Sequence, residues 1–255
     1  MNVTGPFPAP LLVVRVIQVA VVAAVQLQFV NTLKVPESPA PTTRKIIIVD
    51  KPGSPQTALI AGGVGVARSS PDYVALEVTN NILGGLVSAR LNVNLREKHG
   101  YTYAAFSQFV YRRGPGPFFA RTSVRTDVTA PAMKELLNEL NAIRTAQVSP
   151  SELQAAKMAL SRSLPGLFET TQQTSRSIGD LFVYGLPLDY YSALPSRIET
   201  ISADEVQQVA EKHVQPDEMI IVAVGDRSKI EPEIRKLDLG PIEIRDMEGN
   251  PQTSH

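Results

Sequence analysis

Histidine sets the tightest limit on the chemistry this chain can do, because only three are present, His99, His213 and His255. A helical zinc site of the H-E-x-x-H or inverted H-x-x-E-H kind needs two histidines four residues apart, so that both imidazoles face one ion. These three are scattered, and no cysteine is available to supply thiolates instead. His99 and His213 read as positive charges near helix C-termini and His255 as part of a loose terminus, so no residue is assigned as a metal ligand. Nucleophilic and nucleotide-driven chemistry lack support too, since there is no Gly-x-Ser-x-Gly elbow and no Walker-type lysine loop. GGVGVA, Gly62 to Ala67, follows a strand-like run but lacks the third glycine of a dinucleotide-binding turn, and RSSPD after it opens a fresh helix. Its glycines read as a place where a strand bends or packs closely.

Charge narrows the partners. Lysine plus arginine and aspartate plus glutamate number 25 each, so no net field draws in nucleic acid, and a peptide substrate has to be held by local contacts. The 43% apolar content is that of a packed globular chain, and 255 residues suffice for one large domain or two small ones. Absence of cysteine is compatible with cytoplasm and periplasm alike.

The elements that position any site follow from periodicity. LLVVRVIQVAVVAAVQLQFV, residues 11–30, approaches the length of a membrane span but is interrupted by Arg15, Gln18, Gln26 and Gln28. It leaves open a signal anchor, a remnant of an upstream domain or an unpacked extension, and membrane contact through residues 11–30 favours a periplasmic or membrane-associated setting over the cytoplasm. VPESPAPTTRK reads as an extended linker. The expected division is an N-terminal segment and linker over residues 1–43, a folded domain over 44–246 and a disordered tail over 247–255.

Within the domain, Ile46 to Asp50 and Gln56 to Ala67 read as strands, the second broken by glycines. Ser70-Pro71-Asp72 predicts a helix capped by Ser70 and running to about Leu83, stopped by Gly84-Gly85, and a second helix from Ser88 to Lys98 closes at Gly100. YTYAAFSQFVYR and FFARTSVRT, joined by GPGP, predict a β-hairpin. Pro131 to Thr145 carries apolar residues at three-four spacing. Ser149, Pro150 and Glu152 form a capping box opening a long helical stretch to about Tyr184, and Ser202 with Glu205 caps another helix that ends near His213. Met219 to Asp226 is a buried strand, PEIRKLDLG a terminal helix and IEIRD a last strand. Early strands with helices through the middle predict an α+β fold, a mixed or antiparallel sheet with helices packed on one face.

Asn81-Ile82-Leu83-Gly84-Gly85, then Ser88-Ala89-Arg90-Leu91, then Leu95-Arg96-Glu97-Lys98-His99-Gly100-Tyr101-Thr102-Tyr103 closely resembles the signature of the C-terminal domain in the pitrilysin and insulinase family of inverted-zincin metallopeptidases, which includes the mitochondrial processing peptidase. Similarity of order and spacing extends from VDKPGSPQ near Asp50 to IVAVGD at Ile221 to Asp226. In that family one half of the catalytic chamber brings an H-x-x-E-H zinc site and the other brings an arginine and a tyrosine. The resemblance places these on Arg96, as a contact to substrate carbonyls, and Tyr103, as a hydrogen-bond donor to the oxyanion. Taken alone, Arg96 reads as a charge at a helix C-terminus and Tyr103 as a packing residue. Tyr101 competes with Tyr103 as a substrate contact, being two residues away and so expected on the same strand face.

The resemblance thus implies a non-catalytic, substrate-positioning subunit of a zinc metallopeptidase acting on peptides. Zinc would come from a homologous zinc-binding subunit, as in heterodimeric bacterial members. A structural or assembly protein of the same fold, or a truncated fragment of a longer peptidase, is the alternative.

Overall fold

The computed structural model describes residues 40–252, so the apolar run 11–30 and the first part of the linker lie outside the described residues. Strand β1 (Lys45–Asp50) opens the domain, β2 (Gln56–Val64) follows after a turn, and β3 (Thr102–Phe109) and β4 (Pro117–Arg125) form the expected hairpin. With β5 (Ile220–Gly225) and β6 (Ile242–Arg245) they build a six-stranded sheet in the order β3-β4-β2-β5-β1-β6. β1 runs parallel to both β5 and β6, and the other pairs are antiparallel. This is the mixed sheet of an α+β fold.

Period-two burial fixes which face is covered. Ile46, Ile48, Leu59, Ala61, Ala120, Val124, Ile221 and Ala223 are buried under the helices, while Ala58, Ile60, Arg121 and Ser123 alternate with them on an open face. The covering layer is built around α3 (Thr129–Thr145), whose Met133, Leu136, Leu137, Leu140 and Ile143 are all buried. It packs on β2 and β4 and against its helical neighbours. The other helices of the layer are α1 (Tyr73–Asn80), the short α2 (Arg90–Asn92), α4 (Pro150–Ser163), α5 (Thr171–Tyr184), α6 (Tyr190–Thr200), α7 (Ala203–His213) and α8 (Arg227–Arg235), of which α2, α7 and α8 pack directly on α3.

Several expected boundaries move, each for a local reason. Helix α1 starts at Tyr73, because Ser70 uses its hydroxyl to accept from the Asp72 amide and makes a turn with Pro71 instead of a cap. The long stretch to Tyr184 divides at Pro165, where a 3-10 turn (Pro165–Phe168) intervenes and a second capping box, Thr170 with Gln173, starts α5. Helix α6 is not among the expected elements, and it carries Pro195 in its interior. The last helix begins at Arg227, five residues before Pro232, to bury Ile230 and Ile234 one turn apart. Beyond Met247, expected as a loose tail, the described part folds back on β6: the Gln252 amide donates to the Ile244 carbonyl at 2.8 Å.

Candidate functional site

The signature residues occupy one continuous passage from helix to strand. Helix α1 runs into a π-helical turn (Asn81–Gly85), and α2 runs into another (Val93–Lys98). Such turns carry an extra residue per i→i+5 bond and re-aim the side chains that follow. Gly84 allows the first turn to lie on β3, for a Cβ there would sit 2.4 Å from the Ser107 amide nitrogen. Gly100, at φ +63°, takes the left-handed conformation that reverses the chain into β3.

Arg96 projects from the second π turn and is exposed. Tyr103 is 89% exposed. Among the described residues neither side chain has a hydrogen bond or ion pair, so both are available to something outside the domain. Tyr101 does not share Tyr103's face, contrary to the spacing argument. It precedes the strand, packs half-buried against the core and stacks on His99 with ring centroids 5.0 Å apart. The register explains the difference: Thr102 pairs with Val124 but Ala105 pairs with Thr122, so three steps on β3 oppose two on β4. A bulge at Tyr103-Ala104 resets the alternation.

Three polar contacts anchor this passage. Arg90 makes a two-pronged ion pair with Glu152 of α4, Nε to Oε1 at 2.6 Å and Nη2 to Oε2 at 3.1 Å. The same carboxylate completes the α4 capping box by accepting from the Ser149 amide. Arg90 and these capping bonds hold the Glu152 carboxyl at about 2, well below the usual 4.5. Asn94 donates to Glu135 and Glu139 of α3 at 3.1 and 2.6 Å. Asn92, 3% exposed, reaches from α2 to the Ala105 amide of β3 at 2.9 Å. Sequence reasoning missed Asn92 and Asn94; their one signal is a carboxamide lying among Leu91, Leu95 and other core-facing positions.

The side chains of the described residues do not gather as metal ligands would. Among the described residues no three His, Cys, Asp or Glu side chains converge on one point. His213 Nε2 lies 2.7 Å from Asp72, and His99 Nε2 lies 4.0 Å from Glu135. Nor is any helix among the described residues long and apolar enough to cross a membrane.

A cavity of about 570 Å³ borders β3, lined by Glu77, Asn80, Asn81, Ser107, Tyr111 and Asp180 among others. On its wall, Arg68 sits 3.6 Å over the Tyr73 ring and donates to the Tyr190 hydroxyl at 3.1 Å, tying the loop before α1 to α6. Burial pushes the Glu77 carboxyl up.

A family model described as peptidase M16 inactive domain matches residues 23–160. Among curated proteins, an uncharacterized zinc protease of Streptomyces coelicolor is 28% identical over 156 residues, covering 61% of this chain and 34% of that protein. The crystal structure of a peptidase M16 inactive domain from Pseudomonas fluorescens is 29% identical with a TM-score of 0.70, over 76% of this chain and 46% of that one. A chain of complex III2 from Candida albicans has a TM-score of 0.62 at 14% identity, over 81% of this chain and 54% of that one, a likeness of fold alone. The chain spans about a third of the curated relative and about half of the bacterial structure. A family model that covers more than half the sequence, together with this shared fold, establishes that the protein belongs to the peptidase M16 inactive domain family.

Proposed function

We propose that this domain is the substrate-positioning half of a zinc peptidase acting on peptides, completed by a homologous half that carries the inverted zinc motif. One observation carries the reading. A phenol and a guanidinium stand exposed and unpartnered on a single anchored passage, and among the described residues no group of side chains gathers to hold a metal. Large unengaged polar groups on a rigid support serve recognition better than stability.

In this reading the Arg96 fork lies against backbone carbonyls of an extended peptide, two N–H groups to one or two oxygens, a match of shape that a lysine ammonium lacks. The Tyr103 hydroxyl donates to the carbonyl oxygen of the bond being cut, where negative charge grows in the transition state. Tyr101, packed on His99, supports the passage from beneath. Zinc, the attacking water and its general base belong to the other half.

The test is kinetic. The chain is reconstituted with a homologous subunit that carries the H-x-x-E-H motif and assayed on an internally quenched peptide mixture. Tyr103→Phe is expected to lower kcat by about 100-fold or more with little change in KM, the signature of a contact made only in the transition state. Unchanged kinetics would remove the chemical role and favour a scaffold protein of the same fold.

A further inference from the structure

We propose that Asn92 is a positioning residue for Tyr103: its carboxamide holds the bulge that turns the phenol out of the sheet. The proposal rests on the reading of Tyr103 given above. Strand β3 is the outer strand of the sheet, so one set of its backbone groups has no strand to pair with. The Val110 amide donates to Pro117 of β4, which puts even-numbered amides toward β4 and odd-numbered ones toward the free edge. Ala105, the first residue after the bulge, is on that free edge, and Asn92 Oδ1 accepts from its amide at 2.9 Å. The other end of the carboxamide is used as well, Nδ2 donating to the Leu86 carbonyl at 3.2 Å. An amide can only donate and a carbonyl can only accept, so these two partners fix which way the carboxamide faces.

The position itself argues for a specific task. Asn92 is 3% exposed and lies beside Leu91, fully buried, on the stripe that also buries Leu95. An apolar side chain there would bury without desolvating a carboxamide, so a polar one is explained by the bonds it makes. What it fixes is a departure from strand geometry. Ala105, Ser107 and Phe109 all face the covered side of the sheet, and unbroken alternation would send Tyr103 the same way. Two threonines bind the middle of the bulge: Thr102 Oγ1 accepts from the Ala104 amide at 3.2 Å, and Thr122 Oγ1 donates to the Ala104 carbonyl at 3.0 Å. Among the described residues, Asn92 is the one side chain outside the hairpin that hydrogen-bonds its backbone next to the bulge. It therefore couples the helix leading to Arg96 to the strand bearing Tyr103, so both groups keep one spacing.

The experiment combines amide exchange on the full chain with kinetics in the reconstituted complex. Asn92→Leu, close in volume, should speed exchange of the Ala105 amide at least tenfold. It should also lower kcat about tenfold or more, with KM moving little. Asn92→Asp retains an acceptor for Ala105, though not the donor to Leu86, and should recover part of both losses, which a purely packing role would not produce; it also carries the test if the Leu variant fails to fold. Because Asn92 acts through Tyr103, the double variant with Tyr103→Phe should be no slower than Tyr103→Phe alone. Unchanged Ala105 exchange in Asn92→Leu, failure of Asn92→Asp to recover either loss, or kcat losses that multiply in the double variant would each overturn the proposal. A silent Tyr103→Phe would instead sink the functional reading and with it the catalytic consequence of Asn92. Exchange at Ala105 would then still decide whether Asn92 holds the bulge.

Discussion

Arg96 and Tyr103 differ in what a substitution should cost, because one would contact the bound peptide throughout and the other only as charge develops. Arg96→Ala is expected to raise KM at least as much as it lowers kcat, and Arg96→Lys should not restore the loss, since a point charge cannot reproduce a planar fork. Steady-state kinetics of the two variants in the reconstituted complex check this, and a lysine that restores KM would show that charge alone matters. Beneath them, Gly84 is a packing constraint. Its alanine variant would drive a methyl into the Ser107 amide and the Leu91 side chain, and should cost about 1–3 kcal/mol by denaturant titration, the usual range for overpacking. The signature motif singles out Arg96 and Tyr103 in the sequence, and the structure leaves both exposed on one passage. The bulge was not, because YTYAAFSQF read as plain alternation puts both tyrosines on one face, and only the pairing with β4 reveals the extra residue. Asn92 was hidden for a related reason: helical periodicity marks a buried position, but not the strand amide it meets.

Caps and apolar periods were the most readable elements, and Glu152 shows why one of them matters beyond its own helix. As the third residue of α4 it closes the capping box, and through Arg90 it pins the signature passage to the helical layer. Its folded value of about 2 lies below the usual 4.5, so its contribution is present above 4.5 and is lost as pH falls from there toward 2. Acid titration of stability should therefore be shallower over that window in Glu152→Gln, with lower stability at neutral pH. An identical acid slope in both proteins would show that Arg90 and Glu152 do not hold together in solution. Thr170→Ala, which removes the cap of α5, should cost about 0.5–2 kcal/mol in a denaturant midpoint. That cap is hard to see in the sequence because the apolar spacing continues across Pro165-Gly166; the proline two residues past Ser163 and the Thr170-x-x-Gln173 pattern after it mark the break.

Across the whole molecule, the donor set predicts that the purified chain takes up no stoichiometric zinc at neutral pH, and tight one-to-one binding in a metal assay would refute the division of labour between two halves. Sheet order poses a different demand. Ile46 pairs with Ile221 on one side and Ile242 on the other, so β1 finds both neighbours only in the last part of the described chain. On the ribosome, Ile46 and Ile48 must wait unpaired until β5 and β6 have been made, and closing so long a loop is slow. Ending the chain after Glu218 should abolish cooperative thermal unfolding, since β2 and β1 would lose the strand between them; a sharp melting transition in that truncation would contradict it. A nascent or clipped copy is then not a smaller working domain but a length of sticky polypeptide, one that folding helpers must shield or proteases must clear until its final strands arrive.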